Sequence, residues 1–75
     1  MRKYTIVLEY DPDVALYSVV VPALPGCTSE GATVEECMTN AREAIRGHIA
    51  ALEEIGAPIP EEGEGAMIIV ATVAA

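Results

Sequence analysis

The chain has 75 residues, 12 acidic against 4 basic side chains for a formal net charge of -8, and is 52% hydrophobic with no Trp and no Phe. At this length it forms one domain that buries only about 60% of its unfolded surface, and a core built from small Ala, Val and Ile side chains makes a homo-oligomer an expected route to further burial. The acidity argues against direct nucleic-acid binding, since few phosphates could be neutralised, and favours encounter with a basic macromolecule.

The first residues, Met1-Arg2-Lys3-Tyr4, lead into an alternating segment rather than an apolar signal core. The longest apolar run, 66–75, is half of the roughly 20 residues that a membrane helix needs. A cytoplasmic protein with reduced thiols at Cys27 and Cys37 and no membrane span is expected.

Tyr4, Ile6, Leu8 and Tyr10 alternate with Lys3, Thr5, Val7 and Glu9, the period of a strand with one face on the core. Asp11-Pro12-Asp13 breaks it, and aspartates in this setting bond their own backbone. A second run, 15–21, is rich in Val and Tyr and follows within hairpin distance, which predicts antiparallel pairing. Pro22 ends that pairing.

Between Pro25 and Gly31, Cys27-Thr28-Ser29-Glu30 has room for one brief edge strand. Thr33 and Glu36 then form a capping box, each side chain satisfying a free backbone N–H at a helix start. Apolar residues recur at Val34, Cys37, Met38, Ala41, Ala44, Ile45, Ile49, Leu52 and Ile55, which is one helical face, and Gly56 stops it. Ala57-Pro58-Ile59-Pro60 reads as a stiff connector, Glu61-Glu62-Gly63-Glu64-Gly65 as a charged, flexible loop, and 67–73 as a last strand, apolar on both faces.

Strand, strand, short strand, helix and strand make an α+β fold over 1–75 with a single helix on one face of the sheet. The other face would hold Thr5, Val7 and either Ser18 and Val20 or their neighbours. That uncovered face and the doubly apolar final strand point to a protein-binding or self-associating surface.

The residues offer little for catalysis or cofactors. Cys27, Cys37 and His48 contain no C-x-x-C or histidine pair for a metal. Cys37 falls on the core face of the helix as a small hydrophobe. Cys27, near the corner and partly exposed, has no cation beside it in sequence to make a thiolate. His48, the one histidine, lies at the margin of the apolar face without a partner to orient it as a base. The segment 26–31 lacks the Lys-Ser/Thr ending of a phosphate loop. Neither a catalytic residue nor a cofactor is expected.

Pro22, Leu24-Pro25-Gly26-Cys27, Gly31, Thr33, Glu35-Glu36, Asn40-Ala41 and Glu43-Ala44-Ile45, followed by Gly56 and Pro58-Ile59-Pro60, resemble the amino-terminal domain of the HicB family of antitoxins. The resemblance implies a truncated ribonuclease-H-like fold without ribonuclease activity. It also implies a mixed four-stranded sheet ordered short strand, second, first, last, with the last parallel to the first. It further implies neutralisation of HicA, a small basic toxin that cleaves RNA. Full-length members add a carboxy-terminal DNA-binding domain, which this chain is expected to lack because it ends after the last strand. Ala23 and Ala32 stand where the family is commonly acidic.

The expected partner-binding residues are Leu24, Pro25, Glu30, Glu61 and Glu62. The alternative reading is an orphan oligomerising domain without a toxin.

Overall fold

The computed structural model describes residues 2–62 and 65–71. Strands β1 (Ile6–Asp11) and β2 (Leu16–Val20) form the expected hairpin, with Leu8 opposite Val19 and Tyr10 opposite Tyr17. The Tyr10 and Tyr17 rings meet at 4.9 Å between centroids. Asp11 Oδ1 accepts from the Asp13 N–H at 2.9 Å, and Ala15 closes the turn at φ 54°.

Strand β3 (Thr28–Gly31) pairs antiparallel with β2, and β4 (Ile68–Ala71) pairs parallel with β1. The sheet order is therefore β3-β2-β1-β4, with one helix among the described residues, α1 (Val34–Glu54), in an α+β fold. The part of the expected final strand beyond residue 71 lies outside the described residues.

The helix starts where its cap chemistry dictates. Thr33 Oγ1 accepts from the Glu36 N–H at 3.1 Å, while Glu36 Oε2 accepts from the Ala32 N–H, one residue before the cap rather than at the cap itself. Its end is equally definite: Gly56, at φ 71°, donates to the Glu53 carbonyl at 3.1 Å and Ala57 to the Leu52 carbonyl at 2.9 Å. These two bonds form a Schellman cap, which needs a left-handed residue that glycine supplies without strain.

Ile6, Leu8, Val19, Val21, Leu24, Cys27, Cys37 and Ala41 make the buried core. A helix about 10 Å across cannot cover four strands spaced about 4.8 Å apart. Accordingly α1 packs chiefly on β3, less on β2 and β1, and among the described residues makes no contact with β4.

The helix also outruns the core. Cys37 and Ala41 are buried and Val34, Ala44 and Ile45 pack against them, yet Ile55, on the same apolar repeat, is 76% exposed. Periodicity identifies a face but not how far the surface beneath it extends.

Candidate partner-binding surface

The corner after β2 is a pair of tight turns. Leu24 N–H donates to the Val21 carbonyl at 3.0 Å, Cys27 N–H to the Leu24 carbonyl at 2.9 Å, and Val21 N–H to the Cys27 carbonyl at 3.2 Å. Gly26, at φ 87°, provides the left-handed step. This folding turns Leu24 inward until its side chain has no exposed surface, while Pro25 stays outside. Leu24 is a core residue, and only Pro25 of this pair has side-chain surface to offer a partner.

Strand β3 carries Glu30 outward, and Asn40 Nδ2 donates to the Glu30 carbonyl at 2.8 Å, fixing the strand to α1. Gly31 makes the close approach possible: a Cβ there would lie 2.8 Å from the Cys37 nitrogen and 2.9 Å from its Sγ.

Glu61 and Glu62 occupy a different place from Glu30. Glu62 accepts from the Thr5 N–H at 2.8 Å and from the Thr5 hydroxyl. The Thr5 hydroxyl in turn accepts from the Met67 N–H at 3.0 Å. The side-chain bond and then the backbone bond from Thr5 hold the Glu62 carboxyl below its ordinary pKa, because both favour the charged form. Tyr4 donates its hydroxyl to the Pro60 carbonyl at 2.5 Å, and Arg2 Nε lies 3.7 Å from Glu61. The segment expected as a free loop is thus fastened, at Glu61 and Glu62, to the start of β1; Gly63 and Glu64 lie outside the described residues. Thr5, expected on the uncovered face, is only 7% exposed beneath Glu62.

The uncovered sheet face has its own composition. Val7 lies beside Val20 and Ile69, and Glu9 beside Ser18, which lies beside Glu30. Val20 and Ile69 are 47% and 40% exposed. An apolar row therefore lies next to a row, Glu30, Ser18, Glu9 and Ala71, that carries two carboxylates. Every acidic residue among the described residues is exposed, so this face pairs desolvatable area with negative charge.

Of the five expected contact residues, Glu30 lies on this face and Glu62 binds Thr5, just ahead of β1 and two residues before Val7. Val20 was expected on the uncovered face but not as a contact residue, and Glu9 and Ile69 were not placed there beforehand. Strand alternation carried the signal, but the pairing register was needed to bring the three together.

The thiols are structural. Cys27, expected to be partly exposed, is 3% exposed, and Cys37 is fully buried with its Sγ 3.7 Å from the Gly31 carbonyl. Burial raises both thiol pKa values, with Glu36 adding a smaller push at Cys37. Among the described residues no hydrogen bond links His48 to either cysteine, and no three His, Cys, Asp or Glu side chains are placed to hold a metal ion. No helix among them is long and apolar enough to cross a membrane.

The sequence model of a family described as "HicB_like antitoxin of bacterial toxin-antitoxin system" matches residues 4–71. The UPF0150 protein Ta0767 of Thermoplasma acidophilum is 43% identical over 60 residues, which is 80% of this chain and 86% of that one. The UPF0150 protein ssr1765 of Synechocystis is 41% identical over 59 residues, 79% of this chain and 73% of that one. An uncharacterized 14.9 kDa protein from the rep-hol intergenic region of Haemophilus phage HP1 is 47% identical over 45 residues, 60% of this chain but 34% of the phage protein.

Proposed function

The chain belongs to the HicB-like antitoxin family, which implies a toxin-antitoxin role, and from that premise we propose that it is a non-catalytic cytoplasmic protein that binds and neutralises a small basic, RNA-cleaving toxin of the HicA type. The observation that supports this reading is the open sheet face, where Val7, Val20 and Ile69 adjoin Glu9 and Glu30. Apolar area supplies affinity once desolvated. The carboxylates steer a basic partner and set its orientation.

The mechanism is occlusion: an apolar row flanked by acids covers a basic RNA-binding surface and competes with phosphate for its cations. Glu30 and Glu62 are the charged contacts we assign, with Glu61 and Pro25 at the margins; Leu24 supports the corner from within. A truncated ribonuclease-H-like lineage accommodates the fold.

The test is co-expression with a small basic protein encoded beside this chain, scoring growth and co-purification. Rescue of growth with a stable complex, lost in Val20→Arg and weakened in Glu30→Lys, is the expected result. Persisting growth arrest with no complex would refute the reading.

A second reading, self-association, is supported by β4. Its Ile68 and Val70, and Met67 just before it, are exposed at 45%, 52% and 57%, an apolar area that favours cover by protein. The two readings are compatible, since they use different surfaces.

A further inference from the structure

On the helix side of the sheet, a groove of about 620 Å³ runs between α1 and the start of β4. Met38, Ile45 and Ile68 give it apolar walls. Arg2, Lys3, Arg42 and Arg46 also line it, and these are all the basic residues of the chain. Among the described residues no carboxylate lines it, and only Arg2 has an acidic partner, Glu61. A chain of charge -8 has therefore gathered every cation it has at one apolar cleft.

Among the described residues no helix covers β4, which floors this cleft. Ile68 and Val70 neighbour Ile6 and Leu8 in register and share their face. Ile6 and Leu8 are 5% and 0% exposed, against 45% and 52% for Ile68 and Val70. The difference is that α1 reaches β1 but not β4. A second helix laid beside α1 would complete the layer.

The occupant is indicated by α1 itself. Arg42, Arg46, Ile49 and Glu53, spaced by four, three and four, fall on one stripe of the helix. About a twofold axis between Arg46 and Ile49, two antiparallel copies of this stripe place Arg42 of each level with Glu53 of the other. Arg46 then lies level with Ile49, which its aliphatic stem can cover. A parallel pairing would instead set Arg42 against Arg42.

The helix end gives an independent reason. Its last turn holds Glu53 and Glu54 and no basic residue, although a helix C-terminus favours cations. Among the described residues no ion pair offsets that negative end. Among the described residues, none of α1 past Ile45 belongs to the core cluster, which leaves exposed surface there for another molecule.

We propose that a second copy of this chain fills the groove, with the two α1 helices antiparallel and two symmetric Arg42–Glu53 contacts closing the interface. This rests on the self-association reading above and adds the surface, the symmetry and the charge pairs. The contact is isologous, so it closes as a dimer.

The experiment measures the mass of the full chain by sedimentation over a concentration series, with circular dichroism to confirm folding. Arg42 and Glu53 are both exposed, so R42E and E53R should fold, and each should weaken dimerisation by about tenfold or more, because two attractions become two repulsions. The R42E/E53R double variant, and an equimolar mixture of the two single variants, should regain the dimer. A wild-type chain that stays monomeric at every concentration overturns both the proposal and the self-association reading. A dimer that ignores either reversal overturns the proposal alone and assigns self-association to another surface. Occupation of the groove by an acidic partner of different sequence would show as a monomer that the partner binds, and overturns it too.

Discussion

Gly31 and Gly47 should respond to the same substitution with opposite signs. At Gly31 an added Cβ would sit 2.8 Å from the backbone nitrogen of Cys37 and 3.1 Å from the Glu36 carbonyl carbon. Real Cβ contacts are not that short, and backbone atoms in the first turn of α1 cannot rotate away. Gly31→Ala must therefore push the helix start off β3, straining the Glu36–Ala32 bond and the Asn40–Glu30 bond together.

Overpacking of this kind costs about 1–3 kcal/mol. A domain of this size has roughly 4–11 kcal/mol of total stability, and each kcal/mol moves the melting temperature by about 4–8 °C. A fall of about 8–16 °C is the central expectation. At Gly47 the same Cβ meets nothing within 4 Å. There Gly→Ala improves helix propensity by about 0.8–1 kcal/mol and should raise the midpoint by several degrees.

The assay is thermal and urea unfolding followed by circular dichroism on both variants. Cys37→Ala in the Gly31→Ala background separates the two clashes, since it removes the Sγ at 2.9 Å and leaves the backbone contact. If Gly31→Ala melts within two or three degrees of wild type, about the shift of a few tenths of a kcal/mol, the close approach of helix and strand is wrong.

Leu24→Ala should cost about 2–5 kcal/mol, as expected for a leucine with no exposed surface, whereas exposed Pro25→Ala should stay within about 0.5 kcal/mol by urea midpoint. If the two variants behave alike, the corner does not turn Leu24 inward. Glu62 has a lowered folded pKa, so its contribution is fully present above the unfolded value of about 4.3 and is lost as pH falls through the lower folded value. Glu62→Gln should therefore flatten the acid limb of a stability-pH profile below about pH 4.3, and an unchanged limb would show the Thr5 bonds absent in solution. Both thiols should resist a disulfide reagent in the native protein and react rapidly in urea, because they are buried with raised pKa values; fast native labelling of Cys27 would place it at the surface.

Much of the fold was legible because each element carries its own local chemistry. Thr33 and Glu36 announced the helix start, Gly56 its end, and the alternation around Ile6 and Leu8 the first strand. The order of the strands came from the resemblance carried by the corner, since no local signal says that β4 will lie parallel to β1. What stayed hidden depends on contacts between distant residues. Leu24 looked like surface because it sits between prolines and glycine, and only the corner's folding turns it inward. Glu62 looked free because nothing near it in sequence pairs with it, while its partner, Thr5, is 57 residues away. The five candidate contacts were chosen by chemistry alone; register, which puts Glu9, Val20 and Ile69 on one sheet face with Glu30, is not a property of any one segment.

The parallel pairing of β1 with β4 has a consequence for how the protein is made. During synthesis β1 pairs early with β2, but the strand for its other edge begins at Ile68, 57 residues after Asp11. At about 5–20 residues per second, the interval is roughly 3–11 s. Throughout it, Ile6 and Leu8 have an unpaired neighbour position, and any extended segment nearby could take it. Nascent chains stalled before Ile68 would carry this open edge permanently and should be the aggregating species in the cell, even though they hold the whole hairpin, corner and helix.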